Sequence, residues 1–158
     1  MTRLRRFGLS VAAAVGLGAL LAAVALAATP TKGRYTGQSE QVHAPDHGVE
    51  LRVDKQHKVA RFAIDWRAFC KKPDQVWDAG TEVENPKNDP IGTFHDHGTY
   101  TSKTTDGFTG KITLTVDGRF TDKTHARGDW KATVKVFNPK GKRVDTCKVK
   151  TGWTAHPA

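Results

Sequence analysis

From residue 33 onward, apolar and polar side chains alternate with a period of two, the spacing of a half-buried β-strand. Ile112, Leu114, Val116, Gly118 and Phe120 share one parity, while Lys111, Thr113, Thr115, Asp117 and Arg119 take the other. That predicts one long strand with a single buried face. Asp117-Gly118 has the composition of a hairpin turn, but the parity runs through it unbroken. Gly118 therefore reads as a bulge or close-approach site, with the turn at Asp122–His125. The return strand presents Ala126, Gly128, Trp130, Ala132, Val134 and Val136, and Asn138-Pro139-Lys140-Gly141 makes the next turn. A last strand places Cys147, Val149, Thr151, Trp153 and Ala155 on one side.

The earlier half repeats the pattern. Tyr35 with Gly37, then Val49, Leu51 and Val53, make two short strands, and Asp54–His57 turns the chain into Ala60, Phe62, Ile64, Trp66, Ala68 and Cys70. A strand around Val76–Val83 precedes a polar loop from Glu84 to Pro90, and Phe94 and Tyr100 belong to one more strand or pair of strands. Seven or eight strands with no helix after the leader predict an all-β domain, an antiparallel β-sandwich or barrel. It occupies 28–158, with an ordered core over about 33–156. Trp66, Trp130 and Trp153 sit on inward parities and read as core.

Residues 1–27 break this pattern and read as a signal-peptide helix. Arg3, Arg5 and Arg6 precede an apolar stretch, and Ala25-Leu26-Ala27 offers the small residues of a cleavage site after Ala27. The alternative is an uncleaved anchor, since Phe7 to Ala28 almost spans a bilayer. Cleavage leaves no transmembrane span and a secreted or envelope-associated chain.

Export changes how the charge is read. The whole chain has 25 Lys and Arg against 16 Asp and Glu, and losing three arginines leaves 22 against 16, a net +6. Signs alternate along the chain with no block of five like charges, which describes a solvated surface more than a nucleic-acid footprint. Nucleic acid is therefore not an expected partner. An anionic cell-wall polymer or lipid head group is compatible with the charge, and an envelope protein is a further candidate. Cys70 and Cys147, both in the exported portion, predict one disulfide across a loop of nearly eighty residues.

Gly118-Arg119-Phe120, Ala126-Arg127-Gly128, and Cys147 followed by Trp153-Thr154-Ala155 together resemble small secreted proteins common in actinobacteria. Those proteins carry a G-(K/R)-F strand, an A-x-G turn exit and a closing Cys…W-T-A strand paired with an upstream Cys, a place that Cys70 fits. The resemblance spans most of 33–156. It implies an exported β-sandwich and carries no catalytic residues with it.

Catalytic sets are sparse. Ser39 and Ser102, the two serines past the leader, lie in no G-x-S-x-G turn, and no Gly-rich phosphate loop opens a helix. Glu82 and Glu84 flank Val83 on one outward face, with Asp78 nearby and Asp96 at an open distance, the raw material of a carboxylate pair. The histidines are the sharper clue. His95 and His97 project the same way from a strand, a spacing that suits chelation of Zn, Cu or Ni, and His43, Asp46 or His47 would complete the shell if their loop folds alongside. Two surface histidines beside an inward Phe94 remain the alternative. Trp77 and Tyr100 are candidate ligand contacts, although Trp77 shares its parity with core positions. The leading expectation is a non-catalytic exported binding or structural module, with a metal-binding protein second and a small hydrolase third.

Overall fold

A computed structural model describes residues 28–41 and 48–158. The expected signal peptide lies outside the described residues. Among the described residues nine strands form one antiparallel sheet: β1 (Gly33–Ser39), β2 (Gly48–Val53), β3 (Val59–Cys70), β4 (Val76–Glu84), β5 (Lys87–Asp89), β6 (Thr93–Lys103), β7 (Thr109–Phe120), β8 (Ala126–Phe137) and β9 (Arg143–Pro157). Their order is β4-β3-β2-β1-β9-β8-β7-β6-β5, two up-and-down meanders joined where β1 pairs with β9. The all-β architecture and the Cys70–Cys147 disulfide follow the expected pattern. The strand count is higher by one or two. Part of the expected polar loop is β5, which pairs Lys87, Asn88 and Asp89 with His95, Phe94 and Thr93.

The sheet curls on itself. Past the end of β2, β3 meets β9 directly, with Phe69 opposite Lys148 and Cys70 opposite Cys147. On the other side β4 and β6 share no ladder among the described residues, and the Thr81 and Tyr100 hydroxyls, 2.7 Å apart, bridge them. Two side-chain amides stand in where β3 lacks a strand neighbour. Gln41 donates to the Arg67 carbonyl (2.7 Å) and accepts from its N–H (3.0 Å). Asn88 treats Val59 the same way, at 3.0 and 2.7 Å. Partly buried backbone groups are thereby satisfied without a ladder.

The inward parities meet in one aromatic core. The Phe62 ring lies 5.1 Å from Trp153 and 5.9 Å from Phe94, and Trp66 lies 6.1 Å from Trp130. Gly118 is a close-approach site with no shift of register. It faces Gly128 across β7–β8, with Phe94 and Trp153 on the flanking strands. A Cβ on Gly118 would collide with the Phe94 ring and lie 2.8 Å from Cζ2 of Trp153. Aromatic rings thus take the volume that two side chains leave free, which pins the register of four strands. Turns form as expected at Asp122–His125 and at Asn138–Gly141, where Gly141 has φ 75°.

Candidate functional site

Each expected site residue has a place in this frame. His95 and His97 do share the outer face of β6, half-buried and exposed respectively. Nδ1 of His95 lies 3.5 Å from Asp89 Oδ2, and Nδ1 of His97 lies 3.4 Å from Thr115 Oγ1. Asp89 is a neighbour the sequence reading missed, because it lies on the short β5. His43, Asp46 and His47 lie outside the described residues. Among the described residues no three His, Cys, Asp or Glu side chains gather as metal ligands.

The acidic candidates separate. Glu82 and Glu84 project outward beside Arg61, which also meets Glu50 at 3.5 Å, and Asp78 forms a two-pronged pair with Arg67. The hydrogen bond from Arg61 holds the Glu82 carboxyl below its usual range, whereas the hydrogen bond with Glu82 pushes Glu84 up. Asp96 takes the inward parity of Phe94 and lines a 330 Å³ slot between β4 and β6. Glu50, Asp78, Glu82 and Glu84 on the outer face of β2–β4 are thus engaged with arginines.

Trp77 is buried, its ring packed where a side chain on Gly110 would stand, so it offers no open aromatic face. Tyr100 is half-buried and turns its hydroxyl to Thr81, which also accepts from Trp66 Nε1 at 2.8 Å. Burial raises the Tyr100 pKa, so the phenol stays protonated. Both residues serve the inner packing. A wider cavity of 770 Å³ opens over the Gly118–Gly128 pair, with Asp117, Asp129 and Glu40 beside Arg119 and Arg127.

The outer face of β6–β9 carries a chemically uniform surface. Lys103, Lys111, Lys131, Lys135, Lys148 and Lys150 are all exposed there, interleaved with Thr99, Thr101, Thr113, Thr115 and Thr133. On the outer face of these strands no Asp or Glu lies between the row of His97 and the row of Lys103, Asp145 in that interval being buried; the outer acids begin one row further on, at Asp117 and Asp129. Two lysine pairs stand directly opposite one another, Lys111 with Lys135 and Lys131 with Lys150. None of the six lysines is in an ion pair among the described residues. One partial compensation exists, the Phe137 ring 5.1 Å from Lys111 Nζ. Sequence reading missed this face because the lysines are scattered along the chain, and lateral pairing alone gathers them. The available signal was parity: five of the six fall on the polar side of three long strands.

No family model, curated protein or solved structure matches the chain.

Proposed function

We propose that the protein is an exported, non-catalytic binding module whose lysine–threonine face docks on a polyanionic component of the cell envelope. The observation that carries this reading is the double set of facing lysines. Like charges directly opposite on adjacent strands destabilise a sheet by a few tenths of a kcal/mol to about 1 kcal/mol. Here two such pairs occur in one acid-free field. The fold gains nothing from that arrangement, whereas a row of phosphates or carboxylates lying across the face relieves it. The threonine hydroxyls between the lysines supply neutral donors and acceptors to the same oxygens. On β2–β4 the arginines Arg34, Arg61 and Arg67 are instead matched by Glu50, Asp78, Glu82 and Glu84, which gives docking a direction.

The test is retention of the purified, oxidised protein on immobilised inorganic polyphosphate. Retention is expected at low ionic strength and is lost as salt rises to about 0.5 M, where exposed charges are screened. Lys131→Glu with Lys148→Glu is expected to release the protein, and Lys55→Glu with Lys123→Glu, in turns near the opposite end of the sheet, to leave retention within about twofold. Equal loss in both double variants would mean that net charge alone binds, and the face would lose its role.

A further inference from the structure

Lys148 of the cationic face stands directly opposite Phe69, and Phe69 directly opposite Val76. These are two of the three large apolar side chains left exposed among the described residues, at 58% and 44%. They form an adjacent outward pair at the turn end of the β3–β4 hairpin, whose turn carries Lys71 and Lys72 and one acid, Asp74. The row continues without a break from Thr133 through Lys148 to Phe69 and Val76. An apolar pair bordered by three exposed lysines has the make-up of an interfacial anchor. The rings and methyls enter the acyl boundary while the ammonium groups stay among anionic head groups.

The hairpin is also fixed at this turn end. Cys70 is bonded to Cys147, Lys71 N–H donates to the Thr146 carbonyl (3.2 Å), and the Asp145 carboxylate accepts from the N–H groups of Lys71 and Lys72, each at 3.2 Å. A tip held this way loses little freedom on docking.

We infer that Phe69 and Val76 form a wedge that inserts into an anionic lipid bilayer, so that the polyanion met by the lysine face is a membrane surface. This rests on the reading of that face given above and adds the class of partner. A polymer chain offers lysines the same anionic groups but has no hydrocarbon to receive Phe69, which is why the apolar pair favours the bilayer.

The experiment compares vesicles of phosphatidylglycerol and phosphatidylcholine, pure phosphatidylcholine vesicles, and immobilised polyphosphate. The protein is expected to sediment with the anionic vesicles and not with the neutral ones. A Phe69→Ser/Val76→Ser double variant, whose changes are exposed and leave the core intact, is expected to weaken vesicle binding by about tenfold or more while polyphosphate retention stays unchanged. In a Phe69→Trp variant, lipids brominated in the acyl chain are expected to quench the added fluorescence. Vesicle binding unaltered in the double variant, or no quenching, would overturn the wedge. Retention on polyphosphate with no binding to anionic vesicles would overturn the wedge and leave the cationic face standing. Failure on both supports would remove both.

Discussion

Lys131 faces Lys150 across the β8–β9 ladder, both exposed, with Thr115 on the far side of Lys131 and no acid in the row from His97 to Lys150. Stability and binding therefore pull in opposite directions at this pair. Lys150→Glu replaces a repulsion with an attraction, so the free protein should gain a few tenths of a kcal/mol to about 1 kcal/mol. The same change should weaken retention on polyphosphate, because one cation is lost and an anion gained. A thermal melt beside a retention assay checks both. A variant less stable than the parent would show that the pair is not strained in the free protein.

The Asn88 carboxamide makes both hydrogen bonds that a neighbouring strand would make to Val59. Asn88→Ala leaves a partly buried N–H and C=O without these partners, and a loss of about 1–3 kcal/mol is expected. Asn88→Asp keeps the acceptor and loses the donor, so it should cost less at the N–H and more at the carbonyl. Urea titrations of the two variants separate them by midpoint at constant slope.

That bond also marks where sequence reading stopped. Alternation along Val59–Cys70, Ile112–Phe120 and Ala126–Val136 exposed the strands, their inward faces and the disulfide, because burial on one side of a sheet enforces a period of two. Glu84–Pro90 carries no such period. Its strand is three residues long, and its anchor is a polar side chain that mimics backbone, which no hydrophobic pattern encodes. The candidate site failed to show for a related reason. Lys111 and Lys135, and Lys131 and Lys150, lie far apart in the chain and become neighbours only through strand register, and register is a property of pairs of strands. His95 and His97 were legible as a pair because they sit two apart on one strand, but Asp89 entered only with β5.

Gly118 and Gly128 should tolerate no side chain. Gly118→Ala drives a methyl into the Phe94 ring, and Gly128→Ala places one 2.5 Å from Cζ2 of Trp153 and against the Asp117 carbonyl. Overpacking of this kind costs about 1–3 kcal/mol. Pairing Gly118→Ala with Phe94→Leu should recover part of the loss at Gly118, since the smaller side chain makes room, and should do nothing for Gly128→Ala. A double-mutant cycle measured by chemical denaturation reads that coupling directly.

Reducing the disulfide should loosen the turn end of the β3–β4 hairpin and the whole domain together. The bond closes a separation of 77 residues, and in the chain-entropy model its loss costs roughly 4 kcal/mol. Cys70→Ala/Cys147→Ala should lower the melting temperature by ten degrees or more, on the order expected for a domain of this size. Amide exchange should quicken first at Lys71 and Lys72, whose N–H groups lean on β9.

Asp145 and Asp122 set the response to acid. Burial alone would raise the Asp145 pKa, but the N–H groups of Thr146, Lys72 and Lys71 outweigh it, and the carboxyl titrates below its ordinary value. Asp122 accepts from the Thr124 backbone first, then from the His125 ring, and is held at about 2. Both groups have folded pKa values below their unfolded ones. Each therefore contributes stability that is fully present above about pH 4 and is lost as pH falls through the folded value. Stability should decline from about pH 4 downward, with the Asp122 share fading by about pH 2. Asp122→Asn should flatten that part of the curve and lower stability at pH 7. Asp145→Asn should do the same while also loosening the hairpin that carries Phe69. Its vesicle affinity at pH 7 should then fall even though losing the Asp145 charge makes the neighbourhood of Lys71 and Lys72 more positive. A variant with altered acid stability and unchanged affinity would mean that the hairpin holds its place without the Asp145 clamp.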